Sequence, residues 1–139
     1  MKACVLIPAR FKSSRFPGKP LTLIKGKAMI LRVAELSAIA VGKLNVFIAT
    51  DDLKISNYVK DAGFNSIMTS TNNLTGTDRV AEASKNLKYD IFVNVQGDEP
   101  LINPDDILEA IEFKKKNPSS VINSFCFLNN YEDPKNKNI

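Results

Sequence analysis

The sequence predicts an α/β fold: a three-layer, mostly parallel sheet with helices on both faces. Three observations predict it. Short apolar runs alternate with amphipathic stretches along the whole chain, which is the pattern of strands joined by crossover helices. The run NVFIAT at residues 45–50 is nearly all apolar, as expected of a strand covered on both faces. Gly42 and Gly63 each follow an amphipathic stretch, where a glycine ends a helix. A length of 139 residues fits one domain, residues 1–139, with a core of its own.

The elements follow in order. The first strand runs from Lys2 to Ile7 and leads into a basic loop that ends at Pro20. Leu21 to Ile24 is a short extended piece, closed by a turn at Lys25–Gly26–Lys27. A helix spans Met29 to Val41, because Ile30, Val33, Ala34, Ser37 and Val41 recur at intervals of three and four. The second strand is Asn45 to Thr50. Asp51 is placed to cap the next helix, Leu53 to Ala62. Phe64 to Met68 is the third strand, and a polar loop from Thr69 to Thr75 leaves it. The helix from Asp78 to Leu87 has two candidate caps: Thr75, in a capping box with Asp78, and Thr77. Residues 91–95 form the fourth strand, and Gln96 to Pro100 the loop after it. Asn103 and Pro104 suit the N-cap and first position of a helix reaching Lys116, with Asp105 and Asp106 in its first turn. Ser120 to Leu128 reads as a last strand, followed by a polar tail.

Composition narrows the chemistry. An apolar content of 44% and a charged content of 24% are those of a soluble globular domain. A net charge of +4 is too small and dispersed to argue for nucleic acid. No apolar run approaches the length of a membrane span and no cleavable signal pattern opens the chain, so a cytoplasmic location is expected. Cys4 and Cys126 lack metal-ligand spacing and lie in apolar runs, as packed core thiols do. Histidine is missing, so acid–base work falls to carboxylates, lysines or a metal-bound species.

In a parallel sheet the loops after the first, third and fourth strands meet at one edge. The first loop carries Arg10, Lys12, Arg15 and Lys19, with Ser13, Ser14 and Gly18 between them. Those residues suit a polyphosphate, which needs donors and compensating charge, and they equally suit a solvated surface. No P-loop sequence and no dinucleotide-binding glycine pattern is present. The second loop, Thr75–Gly76–Thr77–Asp78–Arg79, offers close backbone approach at Gly76 and donors at Thr77 and Arg79. An ordinary helix cap with a surface arginine accounts for it as well. The third loop, Gln96–Gly97–Asp98–Glu99–Pro100, places acids after a buried strand, as a hard cation such as Mg²⁺ requires. Asp98 is the candidate ligand; Glu99 points the other way in an extended chain and reads as structural.

The order of these residues resembles the 3-deoxy-manno-octulosonate (KDO) cytidylyltransferases, within the sugar nucleotidyltransferases. Their opening motif, IPAR-x-x-S-x-R-x-PGKPL, is matched here by Ile7, Pro8, Ala9, Arg10, Ser13, Arg15, Pro17, Gly18, Lys19, Pro20 and Leu21. Thr75 to Arg79 resembles the Ser/Thr-Gly-Thr-Asp/Glu-Arg motif, and Val93 to Ile102 resembles VNVQGDEP(L/M)I. Phe11 stands where tyrosine is common. The resemblance extends over essentially the whole sequence and implies the Rossmann-like nucleotide-diphospho-sugar transferase fold.

It also implies a reaction. CMP passes from CTP to the anomeric hydroxyl of KDO, giving CMP-KDO and pyrophosphate for lipopolysaccharide biosynthesis. By this resemblance Pro8, Ala9, Arg10, Ser13, Arg15 and Lys19 bind CTP, with Arg10, Arg15 and Lys19 on the triphosphate and Arg10, Lys19 and Asp98 catalytic. Gly76, Thr77, Arg79 and Gln96 hold the cytidine, and Asp98 binds Mg²⁺. Family members are longer, form homodimers, and supply most of the sugar site and a second metal-binding aspartate from their second half. The expectation is therefore a CTP site without much of the KDO site. Three alternatives stay open: a cytidylyltransferase for another sugar acid, such as an amino-substituted KDO; a CTP-binding fragment or pseudo-enzyme without turnover; and a nucleic-acid binder, which rests only on the basic loop. Membrane insertion is not expected.

Overall fold

β1 (Ala3–Ala9) is the strand on which every other layer is built, and it is buried from Cys4 to Ala9. The computed structural model describes residues 1–12 and 16–125. β1 runs two residues past the expected end at Ile7, because Pro8 and Ala9 stay in register with Ala49 and Thr50 of β4 (Val46–Thr50). A proline is tolerated there for a geometric reason. Its backbone faces the same side as that of Leu6, toward β6 (Ile91–Asn94), which pairs with β1 only as far as Leu6.

After β1 the chain closes on itself, with the Gly18 N–H donating to the Phe11 carbonyl at 2.9 Å. Gly18 has φ 71° and starts a 3-10 turn at Lys19–Leu21. β2 (Leu23–Ile24) and β3 (Lys27–Ala28) form a small antiparallel hairpin. Both of its loop residues, Lys25 and Gly26, have positive φ, as a tight two-residue turn demands. α1 (Met29–Val41) buries Met29, Ile30, Val33, Ala34 and Ser37 and ends at Gly42, φ 83°. Then come β4 (Val46–Thr50), α2 (Leu53–Asp61), β5 (Asn65–Met68), α3 (Gly76–Ser84), β6 (Ile91–Asn94) and α4 (Pro104–Lys116).

The main sheet is parallel in the order β5-β4-β1-β6. The alternation along β1 decides what lies on each face. Val5 and Ile7 pack with Ile30, Val33 and Ala34 of α1, Ile55 and Val59 of α2, and Ile107 and Ile111 of α4. Leu6 packs the other way with Ala49 and with Val80 and Ala83 of α3. The three-layer parallel architecture is therefore as expected, with α1, α2 and α4 on one face and α3 on the other. Each fully buried Leu, Ile or Val contributes about 1.5–3 kcal/mol.

Three expectations need correction. The cap of α2 is Asp52, not Asp51: Asp52 Oδ1 accepts from the N–H groups of Lys54 (2.8 Å) and Ile55 (3.3 Å). Asp51 is drawn off to another partner, described below. α3 begins at Gly76 rather than Asp78, because Thr75 and Asp78 complete the capping box and hold the first turn despite the poor helix propensity of glycine and threonine. No strand forms over 120–125, where Val121 is 95% exposed and no neighbour among the described residues offers a ladder. The rest of that expected strand, with Cys126, lies outside the described residues.

Candidate functional site

β1 lies between β4 on one side and β6 on the other, so the chain leaves β1 toward one neighbour and arrives later at the other. Such a reversal of strand order opens a crevice at the carboxyl ends of the strands. Three loops meet there. The space that a side chain at Gly76 would take lies 3.2 Å from Pro8 Cγ and 3.4 Å from Gln96 Oε1. Pro8 near the end of β1, Gly76 at the start of α3 and Gln96 in the loop after β6 thus touch one small volume. The Gln96 amide is steadied by donating to Asn94 Oδ1 at 3.2 Å.

A second junction joins the basic loop to the acidic one. Lys19 Nζ donates to Asp98 Oδ2 at 2.7 Å. Both side chains are about half exposed, at 45% and 52%, so solvent screens the pair and it contributes about 0–1 kcal/mol. Arg10 is exposed immediately beyond β1, and Ala9 is buried as its last residue. Ser13 and Arg15 lie outside the described residues.

Gly97 sits under this junction. A Cβ on it would fall 2.8 Å from the Pro8 carbonyl oxygen and 3.3 Å from Ile30 Cδ1, so only glycine fits between β1 and α1. Its neighbour Glu99 has its carboxyl pushed up, first by burial and then by the adjacent Asp98 charge.

At the start of α3 the capping box is complete: the Thr75 N–H donates to Asp78 Oδ2 (2.9 Å) and the Asp78 N–H to Thr75 Oγ1 (3.1 Å). Gly76 and Thr77 follow, and first-turn N–H groups of a helix have no intrahelical acceptor. Thr77 is exposed. Arg79 is not: it is 2% exposed. Its guanidinium donates to Asp51 Oδ2 at 2.9 Å and to Thr69 Oγ1 at 2.5 Å. Of the four residues expected to hold the cytidine, Gly76 and Gln96 therefore stand together at the crevice, Thr77 is the exposed residue after Gly76, and Arg79 is turned into the protein behind it.

Sequence reasoning reads Asp51 only as a helix cap, gives Gly97 and Thr69 no role beyond their loops, and does not single out Glu82. An acidic doublet before a helix signals one acid more than a cap needs, which points to Asp51. A glycine just past a buried strand signals close backbone approach, which points to Gly97. Thr69 and Glu82 carry no such signal. Glu82 accepts from the Ser70 N–H at 2.9 Å and from the Asn73 amide at 2.5 Å, and these two donors hold its carboxyl below the usual range.

Among the described residues no group of three or more His, Cys, Asp or Glu side chains could hold a metal. The donor set at Asp98 fits Mg²⁺ in one way: a single carboxylate on the protein side, with phosphate and water oxygens completing the shell.

Residues 4–138 match the Cytidylyltransferase family. The chain belongs to that family. Relatives of this cytidylyltransferase-family chain include an 8-amino-3,8-dideoxy-manno-octulosonate cytidylyltransferase of Shewanella sp. (strain W3-18-1), 46% identical over 121 residues, covering 85% of this chain and 49% of the relative. A 3-deoxy-manno-octulosonate cytidylyltransferase of Trichlorobacter lovleyi is 48% identical over 118 residues, covering 85% and 47%. The solved structure of CMP:2-keto-3-deoxy-manno-octonic acid synthetase complexed with CTP superposes with a TM-score of 0.81 at 41% identity, covering 86% of this chain and 49% of that one. The chain spans about half the length of the curated relatives it matches.

Proposed function

We propose that this chain forms the CTP site of a cytidylyltransferase that transfers CMP to the anomeric hydroxyl of an eight-carbon ulosonate, KDO or its 8-amino relative. The observation that carries the reading is the meeting of Pro8, Gly76 and Gln96 beside the Lys19–Asp98 pair at the carboxyl edge of the sheet. One side of the crevice offers a neutral amide and unpaired backbone donors, suited to a nucleobase and ribose. The other offers cations, suited to phosphates.

In this reading Arg10 and Lys19 bind the triphosphate, with Ser13 and Arg15 as further donors from the same loop. Gly76, Thr77 and Gln96 hold the cytidine, and Arg79 supports that end from behind. The sugar hydroxyl attacks the α-phosphorus, pyrophosphate leaves, and Lys19 neutralises charge gathering on the leaving phosphates. Asp98 would hold Mg²⁺, which supplies charge neutralisation on the phosphates and acidifies a bound hydroxyl. The resemblance of the three motifs, and the names of the relatives, support the ulosonate substrate. The same resemblance carries a place in lipopolysaccharide biosynthesis, a cytoplasmic location and a homodimer. Among the described residues no helix is long and apolar enough to cross a membrane.

Calorimetric titration with CTP in the presence of Mg²⁺, with UTP and ATP as controls, tests the reading. Selective CTP binding supports it, and pyrophosphate release on adding KDO or its 8-amino analogue identifies the acceptor. CTP binding without turnover places the chain with the second reading, a nucleotide-binding unit that needs further residues to react. That reading draws on the half-length match to the relatives. A folded chain that does not bind CTP overturns both.

A further inference from the structure

Arg79 is a cation with almost no access to water, and a buried guanidinium is tolerated only where its donors are met. The two acceptors come from different places. Asp51 directly follows β4, and Thr69 directly follows β5, so the guanidinium ties the ends of two adjacent strands to the first turn of α3. The Thr69 N–H in turn donates to the Thr50 carbonyl at 2.9 Å, fixing the start of the 69–75 loop to β4. Three residues along α3 from Arg79, Glu82 holds the middle of the same loop through Ser70 and Asn73. The capping box of Thr75 and Asp78 holds its end. The loop is therefore anchored at start, middle and end, and the segment it delivers is Gly76–Thr77, against Pro8 and Gln96.

We infer that Asp51 is a positioning residue for the nucleobase end of the site: through Arg79 and Thr69 it sets where Gly76 and Thr77 present their donors. It touches no substrate. The inference rests on the CTP reading above. It assigns selectivity for the base to a carboxylate behind the site, while affinity for phosphates stays with the basic loop. The two can be separated, because inorganic tripolyphosphate reads the basic loop alone.

The experiment compares the wild-type chain with Asp51→Asn, and with Thr69→Val as a second variant that removes one acceptor and keeps the side-chain shape. Circular dichroism first identifies a temperature at which each is folded. Dissociation constants for CTP, UTP and tripolyphosphate are then measured with Mg²⁺, with amide exchange at Ser70 and Thr75, whose N–H groups are hydrogen-bonded to Glu82 and Asp78. The expected result is CTP binding weakened about tenfold, tripolyphosphate binding changed by less than about twofold, a reduced preference for CTP over UTP, and faster exchange at both amides. If Asp51→Asn does not fold, the same pattern in Thr69→Val decides. Unchanged CTP affinity in the folded variants overturns the inference and leaves the CTP reading standing. Equal weakening toward CTP and tripolyphosphate also overturns it, because Asp51 would then act on the fold at large. A wild-type chain that binds tripolyphosphate but not CTP overturns the CTP reading and this inference with it.

Discussion

Lys19 and Asp98 are 79 residues apart in sequence and 2.7 Å apart in the fold. The pair joins the loop after β1 to the loop after β6, across the point where the strand order reverses. It is half exposed, so it contributes little to stability, and its atoms are available to a ligand. Asp98→Asn is therefore expected to change unfolding free energy by less than about 1 kcal/mol. The same variant should weaken Mg²⁺-dependent CTP binding about 10–100-fold. Urea unfolding and calorimetry check the two halves; retained Mg²⁺-dependent binding removes Asp98 from the site.

Gly97→Ala should do the reverse and act on the scaffold. Its methyl group would meet the Pro8 carbonyl oxygen at 2.8 Å, and a backbone atom cannot swing aside as a side-chain tip can. Overpacking of this kind costs about 1–3 kcal/mol, read from the urea midpoint. The turn carrying Gln96 and Asp98 must lift from β1, so CTP affinity should fall with it.

Ser37→Ala is expected to stabilise the chain. Ser37 is fully buried on α1, and its hydroxyl has no hydrogen-bond partner among the described residues. An unsatisfied buried hydroxyl costs about 1–3 kcal/mol, and alanine is the better helix former. Thermal and urea unfolding should show a gain of about 1 kcal/mol, and a loss would show that the hydroxyl has a partner.

Cys4 is fully buried in β1, and burial pushes its thiol up to about 12. It should resist alkylation in the native chain and react after denaturation. The sign of the pH effect follows. Below the unfolded thiol's value near 9 the contribution to stability is complete. As pH rises from there toward 12 the unfolded chain ionises and the folded one does not, so stability falls by about 1.4 kcal/mol per pH unit. Cys4→Val should remove that part of the slope, checked by urea unfolding across alkaline pH.

The fold and much of the site are legible in the sequence because their signals are local. The period of α1, the glycine at its end, and the Asn103–Pro104 start of α4 each concern residues within one or two turns. The apolar strands announce a sheet covered on both faces, and the core shows that cover. The motif loops stand out because basic, polar and acidic stretches each follow a strand. The failures are local signals with two outcomes. Asp51 and Asp52 can each cap α2, and the choice goes to Asp52 because Arg79 claims Asp51. The apolar pattern after Ser120 reads as a strand, but a strand needs a neighbour, and none among the described residues pairs with 121–125.

What the sequence by itself determines here is the alternation of strands and helices, the faces they bury, and three loops that are basic, polar and acidic in turn. The tertiary structure alone decides that Arg79 is a buried tie rather than a surface donor, that Gly97 has no room for a methyl group, and that Lys19 meets Asp98. Each of these depends on which strands lie side by side. Strand order brings residues tens of positions apart into contact, and no periodicity within one segment carries that information.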